Sequence, residues 1–509
     1  MRDAEHAEHY YRAALSNDSR FDGRLFIGVA STGIYCRPTC PAMTPKRANM
    51  RFYRTAAAAQ AAGFRACKRC RPDSTPGSPE WNSRADLAGR AMRLIADGLV
   101  DREGVGGLAA RLNYSERQLQ RQLVAEVGAG PLALARAQRA RTAQLLLETT
   151  ELHVSEIAFA AGFSSIRQFN ATMRTVFSMP PTQLRARAAQ RVTQRAPRAG
   201  SPARAWGSGI RIQLPYRTPL DVDALLAHLG AQAVPGIEEY ADGGYHRALS
   251  LPHGTAVATL SRPDGKPAGR TQQPPGRGFV ECELHLQDLR DMTAAVQRCR
   301  DLLDLDADPL AVDAVLARDP LLAPLVARLP GRRVPGCADP AECAVREVLA
   351  QDAAPERARS EAALLVARYG KPLTREFGGV THAFPAVDTL AGLPPRELAD
   401  TPERGSRVKA IATALACGDL DLGVGVDRDE ATRQLLKVDG VGPRTAAAIR
   451  MRALGDPDVS VPAGPDPYEE GTYEEGTYEE GTYEERAEAW RPWRSYAVQH
   501  LWAARTTNP

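Results

Sequence analysis

The stretches Ile34-Tyr-Cys-Arg-Pro-Thr-Cys40 and Cys67-Lys-Arg-Cys-Arg-Pro72 decide the fold of the N-terminal region. They hold four cysteines in two pairs with 26 residues between the pairs: Cys36 and Cys40, then Cys67 and Cys70. Each pair can present two thiolates from one tight turn, and two such turns build the tetrahedral four-sulfur shell of a closed zinc site. The spacing therefore predicts zinc as a cofactor, and by itself it favours a purely structural zinc site.

Positive charge surrounds these ligands and dominates the front of the chain. Residues 1–206 contain 31 lysines and arginines against 16 aspartates and glutamates, a formal net charge of +15, whereas the remainder carries −11. A basic front half is typical of binding to a phosphate backbone. Four basic residues beside the cysteines would let a polyanion approach the sulfurs: Arg37, Lys68, Arg69 and Arg71.

Length and cysteine usage indicate a multidomain protein of a reducing compartment. A chain of 509 residues is too long for one core, so three or four domains are expected. The other five cysteines show no ligand spacing and are interpreted as buried thiols: Cys282, Cys299, Cys337, Cys343 and Cys417. With no signal-peptide pattern and no apolar run of about 18 residues, we expect a cytoplasmic protein with no membrane partner.

Two consecutive helix-turn-helix patterns follow the cysteine region. In the first, Asn113-Tyr114 makes the turn and Ser115 caps a helix over Glu116–Val127. In the second, Gly162 allows the positive φ of a turn, and the pair Ser164-Ser165 supplies the cap of the next helix.

The second helix of each pattern carries side chains suited to base edges and phosphates. The candidate DNA-binding residues are Arg117, Gln118, Arg121, Arg167, Gln168 and Arg174. A plain helical bundle is the alternative interpretation. Two copies, each with a basic and polar second helix, argue against it.

The string Ala158-Phe-Ala-Ala-Gly-Phe-Ser-Ser165, followed by Phe169 and Pro180-Pro-Thr-Gln-Leu-Arg185, resembles the DNA-binding domain of AraC-type regulators. Together with the four-cysteine region it resembles the N-terminal half of the Ada family of adaptive-response proteins, over residues 1–188. The resemblance implies that Cys36 accepts a methyl group from a DNA methylphosphotriester and that this strengthens promoter binding. The implied partners are alkylated DNA, promoter DNA and RNA polymerase. Because no Pro-Cys-His-Arg string occurs, the O6-alkylguanine methyltransferase domain of Ada proteins is expected to be absent.

A different motif follows near the C-terminus, in Leu436-Lys-Val-Asp-Gly-Val-Gly-Pro-Arg-Thr-Ala446. This is the pattern of a helix-hairpin-helix element, in which Gly440 and Gly442 let backbone amides approach a DNA phosphate. A glycine-rich turn with no such role is the alternative. Together with Arg332–Gly336, Ala344–Arg346 and Trp490–Ala497, the motif resembles 3-methyladenine DNA glycosylase II over residues 208–509. Members of that family flip an alkylated purine out of the duplex and hydrolyse its glycosidic bond.

The glycosylase-like half departs from the family pattern at several positions. Where the family has its catalytic aspartate the chain reads Ala463 and Gly464, and Asp466 is the nearest substitute. Arg444 replaces an aromatic residue that would pack against the flipped base, and Asp352 replaces the side chain that wedges into the base stack, so we expect it to be pushed against the DNA. A Tyr-Glu-Glu-Gly-Thr repeat fills residues 468–485 with eight glutamates, which would repel DNA.

These patterns predict a multidomain α+β protein. It would combine a small zinc-binding α/β module, an all-α tandem helix-turn-helix domain, a small antiparallel-β (TBP-like) subdomain and an all-α helix-hairpin-helix body. Strand-like alternation is expected at residues 210–214, 256–260 and 278–286, and helices from there almost to the end. The predicted domains are residues 1–80, 81–188, 208–290 and 291–509, with a linker at 189–207.

Two functions remain open for the chain as a whole. In the first, it is a methylphosphotriester methyltransferase, an alkylpurine glycosylase and a regulator. In the second, it is a methylation-sensing activator whose glycosylase-like half is catalytically impaired and only binds DNA. A zinc-containing regulator with no methyl transfer is a third possibility, which methyl capture by Cys36 would exclude.

Overall fold

The structure is a computed structural model. It describes residues 10–11, 14–15, 25–38, 40, 45–53, 59, 62–67, 83–150, 152–193, 209–263, 277–461 and 483–506. Two compact units form, residues 1–89 and residues 90–509. Within the described ranges no helix is both long enough and apolar enough to cross a bilayer.

The first unit contains a small four-stranded sheet. Its strands are β1 (Phe26–Val29), β2 (Ile34–Cys36), β3 (Met50–Tyr53) and β4 (Arg65–Ala66), in the order β3-β1-β2-β4. The first three strands pair antiparallel, whereas β4 runs parallel to β2. Phe26 and Tyr35 are buried with their ring centroids 6.1 Å apart. This core holds β2 and β4, the two strands that end at the cysteines, side by side.

Seven helices form the helix-turn-helix region: α1 (Ser83–Ala96), α2 (Leu99–Arg111), α3 (Glu116–Val127), α4 (Pro131–Thr149), α5 (Val154–Ala160), α6 (Ile166–Phe177) and α7 (Pro181–Thr193). Ser115 caps α3 in a capping box, and Ser165 caps α6 by accepting from the Gln168 amide. Asn113 and Gly162 adopt positive φ at the two turns. The predicted turns and caps are confirmed, while α7 extends five residues into the predicted linker.

A five-stranded antiparallel sheet opens the second half. Its strands are β5 (Ile210–Arg217), β6 (Glu238–Ala241), β7 (Gly244–Leu251), β8 (Gly254–Ser261) and β9 (Arg277–Leu286), ordered β5-β9-β8-β7-β6, with helix α8 (Val222–Ala231) between β5 and β6. The three predicted strand segments lie in β5, β8 and β9, whereas β6 and β7 were not predicted. The comparison with TBP stays a prediction.

The rest of the chain is mainly helical, with one hairpin that the prediction of continuous helix missed. The helices are α9 (Met292–Leu302), α10 (Pro309–Leu316), α11 (Ala323–Arg328), α12 (Pro340–Ala350), α13 (Pro355–Tyr369), α14 (Val387–Gly392), α15 (Pro402–Cys417), α16 (Arg428–Leu435), α17 (Pro443–Ala453), α18 (Tyr483–Ala489) and α19 (Arg494–Thr506). The hairpin pairs β10 (Lys371–Phe377) with β11 (Val380–Ala383).

Apolar packing joins the helix-turn-helix region to the β sheet within the second unit. Buried residues of α4 and α5, such as Leu146 and Ile157, belong to the same core as Ile212 and Leu214 of β5. Arg90 of α1 also donates to the Gly425 carbonyl at 2.6 Å. Helices α4 to α7 and the β-sheet region therefore share one hydrophobic core.

A buried ion network fastens the β sheet to helix α12. Arg247 of β7 pairs with Glu238 of β6, and it also donates to Glu342 of α12 at 2.6 Å. Arg346 of α12 donates to both carboxylates, at 3.0 and 2.9 Å. Burial raises the pKa of Glu238, but the Arg346 and Arg247 guanidinium groups outweigh burial and lower that pKa to about 2. Every charge in the network has an opposite partner, which is the condition for burying such groups.

Candidate functional site

Three of the four predicted zinc ligands converge at the end of the N-terminal sheet. The sulfur atoms of Cys36, Cys40 and Cys67 all lie within 4.8 Å of one another. Cys36 ends β2, and Cys67 follows β4, where its amide donates to the Tyr35 carbonyl at 3.0 Å. The parallel pairing of β2 and β4 therefore brings Cys36 and Cys67, one cysteine from each pair of the sequence motif, to one point. Cys70 lies outside the described residues.

The spacing of these sulfurs fits a zinc ion. Cys40 Sγ and Cys67 Sγ are 3.9 Å apart, close to the ~3.8 Å separation that ~2.3 Å zinc–sulfur bonds impose on a tetrahedron. Cys67 is buried, whereas Cys36 and Cys40 are partly exposed. Of the three cysteines, Cys36 and Cys40 are thus the ones that solvent partly reaches. Arg37, which directly follows Cys36 in sequence, is buried.

Both second helices of the helix-turn-helix pair present arginines to solvent. Arg117 and Arg121 on α3, and Arg167 and Arg174 on α6, are exposed, while each helix buries apolar residues on another side. The arginines of each helix are spaced so that they can lie along one groove of DNA.

The two glutamines predicted to bind DNA have a structural task as well. The Gln118 side-chain oxygen accepts from the Ser115 hydroxyl at 2.9 Å, and the Gln168 side-chain oxygen accepts from the Ser164 hydroxyl at 3.0 Å. Each oxygen thus helps to cap its own helix. Only the amide donors of these glutamines are then well suited to reading a base acceptor.

The predicted helix-hairpin-helix consists of α16, the turn at residues 436–442 and α17. Gly440 has a φ of +77°, which a residue with a side chain rarely adopts. Gly442 has ordinary extended backbone as the residue before α17, but nothing lies within 4 Å of the position where its Cβ would be. The hairpin backbone is therefore open to an approaching phosphate at Gly442, and α17 begins there without a side-chain cap.

Gln351 binds the hairpin from the loop between α12 and α13. Its side-chain nitrogen donates to the Gly440 carbonyl at 3.1 Å, and its side-chain oxygen accepts from the Thr445 hydroxyl at 2.7 Å. Arg404 donates to the Gln351 carbonyl at 3.2 Å. The helix-hairpin-helix motif does not reveal that Gln351 binds the hairpin, because Gln351 lies far from the hairpin in sequence. The sequence pointed to this loop only through the neighbouring Asp352.

Asp352 has a partner that the sequence did not indicate. Its carboxylate pairs with Arg407 of α15 at 3.0 Å, while its contact with DNA stays a prediction. Its backbone adopts a positive φ of 57°, a conformation that aspartate tolerates better than most residues. The negative charge beside the hairpin is thus paired with a cation that the sequence did not identify. Arg444 lies exposed in the first turn of α17.

The residues expected to supply the glycosylase carboxylate, Ala463, Gly464 and Asp466, lie outside the described residues, as does most of the repeat. The acids just before them are paired with arginines. Asp458 accepts from Arg491 at 2.9 Å and from Arg494 at 2.6 Å, and Asp456 accepts from Arg450 at 2.7 Å. Although burial raises the pKa of Asp456, the Arg428 and Arg450 charges outweigh burial and lower it.

Three family models match parts of the chain. Residues 9–73 match the family described as the metal binding domain of Ada, residues 108–187 match a helix-turn-helix domain, and residues 211–339 match the AlkA N-terminal domain. Over 500 residues, the chain is 49% identical to the probable bifunctional transcriptional activator/DNA repair enzyme AlkA of Mycobacterium tuberculosis (strain H37Rv), covering 97% of this chain and 96% of that protein. The chain belongs to this AlkA family of bifunctional proteins. The resemblance drawn from the sequence is confirmed, and zinc is confirmed as the cofactor of the family's N-terminal module.

Other relatives match one half each. DNA-3-methyladenine glycosylase 2 of Escherichia coli K12 is 28% identical over 303 residues, which cover 58% of this chain and 98% of that protein. The Ada protein of the same strain is 33% identical over 175 residues, covering 34% of this chain and 48% of that protein. Among solved structures, the methylated N-ADA/DNA complex matches with 36% identity and a TM-score of 0.21, over 28% of this chain and 100% of that chain.

Proposed function

We propose that this AlkA-family chain captures methyl groups from DNA methylphosphotriesters on Cys36 and then activates transcription. The observation that carries this proposal is the cysteine cluster, in which the partly exposed residue Cys36 lies with Cys40 and Cys67 in a spacing that fits zinc. A purely structural site would not require an accessible sulfur. The E. coli relative that aligns with this region is named a bifunctional transcriptional activator/DNA repair enzyme.

The transfer uses the sulfur of Cys36 as the nucleophile. Bound zinc, held by Cys36, Cys40, Cys67 and Cys70, would keep the thiol deprotonated at neutral pH. The sulfur lone pair attacks the methyl carbon, a carbon–sulfur bond forms, and the carbon–oxygen bond breaks with its electron pair leaving on the phosphodiester. The product is a thioether, so each protein molecule acts once.

Methyl capture also changes the charge of the site. Four thiolates around a divalent zinc carry two negative charges, and a thioether in place of one thiolate leaves a single negative charge. A less negative surface binds DNA more tightly. The exposed arginines of α3 and α6 would then hold a promoter, where we expect the protein to contact RNA polymerase in the cytoplasm.

The C-terminal half, on this proposal, binds DNA through the hairpin at Gly440 and Gly442. The open backbone at Gly442 and the brace from Gln351 support DNA binding. Base release would need a carboxylate, and Asp466 is the candidate, because Asp456 and Asp458 are both paired with arginines. The competing function, a methylation-sensing activator without base release, is favoured by Ala463 and Gly464.

Methyl capture is tested by mass spectrometry of the full chain after incubation with DNA carrying methylphosphotriesters. We expect Cys36 to gain the mass of one methylene unit, and the Cys36→Ser variant to gain nothing. Cys417→Ser is the matched control, because Cys417 is exposed and lies outside the cluster. A zinc-loaded protein that never gains mass at Cys36 would refute the proposal.

Base release is tested separately with DNA containing 3-methyladenine. Free base that disappears in Asp466→Asn, but not in the exposed surface variant Asp419→Asn, would support a glycosylase. Intact DNA after incubation with a protein that still binds the duplex would support the activator without base release.

A further inference from the structure

Arg407 lies directly behind the DNA-binding hairpin. It belongs to α15, and its Cγ atom is 2.5 Å from the position that a Gly440 Cβ would occupy. The arginine stem therefore packs on the glycine whose positive φ shapes the turn. The side chain is 30% exposed, so its guanidinium group reaches the surface next to the hairpin backbone.

Asp352 engages that guanidinium from the opposite side. The Asp352 carboxylate lies 3.0 Å from Arg407 Nη1, and its own side chain is 72% exposed. Such an exposed pair is weak, because water and salt screen it. A DNA phosphate arriving at the hairpin would offer the same arginine an alternative charge-assisted partner.

The loop that carries Asp352 is fixed relative to the hairpin. Gln351, the preceding residue, hydrogen-bonds both to the Gly440 carbonyl and to the Thr445 hydroxyl. Because of this brace, the loop that carries the Asp352 carboxylate is held beside the hairpin backbone.

We propose that Arg407 is a phosphate-binding residue of the hairpin surface and that Asp352 competes with the DNA phosphate for its guanidinium group. The proposal rests on the proposed function only in requiring that the hairpin contacts DNA. Asp352 thereby lowers the affinity of the glycosylase-like half for undamaged duplex. When phosphate binds, the arginine exchanges one anionic partner for another and the Asp352 carboxylate is released to solvent.

Simple repulsion is the alternative explanation for any effect of Asp352, and a double-substitution cycle separates the two. Under competition, Asp352→Asn strengthens binding only while Arg407 is present. Under repulsion, the same substitution strengthens binding equally with Arg407 or with Arg407→Gln. Asp439→Asn is the matched control, since Asp439 is an exposed acid within the hairpin itself.

The experiment measures the affinity of the full chain for an undamaged 20-base-pair duplex across a salt series. All variants carry Arg121→Gln and Arg174→Gln, which weaken binding through the helix-turn-helix region. We expect Arg407→Gln to weaken binding about fivefold at 0.15 M salt and to lower the slope of log affinity against log salt by about 0.9, the effect of one phosphate contact. With Arg407 present, Asp352→Asn should strengthen DNA binding about threefold. In the Arg407→Gln background, Asp352→Asn should strengthen binding no more than the control substitution Asp439→Asn does.

Equal gains from Asp352→Asn in both backgrounds, or an unchanged salt slope in Arg407→Gln, would overturn the proposal. The Lys437→Gln variant removes an exposed lysine of the hairpin. It distinguishes failure of the present inference from failure of the proposed DNA binding by the hairpin. If Lys437→Gln weakens binding but positions 352 and 407 do not couple, only the present inference fails. If Lys437→Gln has no effect, the hairpin does not contact DNA. The present inference and the proposed DNA binding by the C-terminal half are then both wrong. Unchanged thermal unfolding midpoints confirm that each variant is folded.

Discussion

Methylation of Cys36 should raise DNA affinity by an amount that depends on salt. With Cys70 as the fourth ligand, the cysteine site loses one negative charge when Cys36 becomes a thioether. Cys36 itself is partly exposed, so this change would lie near a surface that DNA can approach. If the change is equivalent to one additional phosphate neutralised, affinity rises by about fivefold at 0.15 M salt and by about fifteenfold at 0.05 M salt.

The assay is fluorescence anisotropy with promoter DNA and protein before and after methyl capture, at four salt concentrations. The two lines of log affinity against log salt should diverge towards low salt. Cys36→Ser with confirmed zinc content is the control: a neutral hydroxyl ligand reproduces the charge change without the methyl group. Parallel lines for the two forms, or Cys36→Ser binding like the unmethylated protein, would refute the electrostatic argument.

Three further predictions concern the second unit. Burial together with the Arg332 charge lowers the pKa of His500 to about 4, and neither ring nitrogen has a hydrogen-bond partner in the described part of the chain. Protonation of His500 should therefore cost up to ~3 kcal/mol of folding stability as pH falls from about 6.5 to about 4. The His500→Phe variant should lack this loss when thermal unfolding midpoints are compared at pH 7 and 4.5. Gln351→Ala should remove the brace on the hairpin, lowering stability by ~1–2 kcal/mol and weakening DNA binding without changing the salt slope. Glu238→Gln should destabilise the second unit by ~3–5 kcal/mol in calorimetry, because Arg247 and Arg346 would share a single carboxylate; a loss below ~1 kcal/mol would show that the network is not well paired.

The helix-turn-helix region could be predicted because its signals are local. Ser115 precedes the helix that it caps, and Gly162 lies at the bend that needs positive φ. The capping residue and the turn residue act within three or four positions of the backbone that they shape. The paired cysteines could be predicted for the same reason, since each pair spans only four or five residues of the sequence.

The hairpin at residues 371–383 and the buried ion network could not be predicted in this way. Most of β10 is exposed, so it lacks the alternation that marks a half-buried strand. Glu238 and Glu342 are about a hundred positions apart in sequence, and only the folded sheet brings both to Arg247. Arg407 likewise became a candidate only when α15 was seen to pack on Gly440.

The charge asymmetry of the chain has a consequence for how its two halves use DNA. The rear part carries a formal net charge of −11, against +15 for residues 1–206, so it is poorly suited to finding DNA by itself. On the proposed function, DNA held by the exposed arginines of α3 and α6 would bring the glycosylase-like half along, because α4 and α5 share a hydrophobic core with β5. The hairpin would then act at a high local concentration, at which a weak contact is sufficient. An acid such as Asp352 at the edge of the hairpin would be tolerable under this arrangement, since the front half would supply most of the affinity for undamaged DNA.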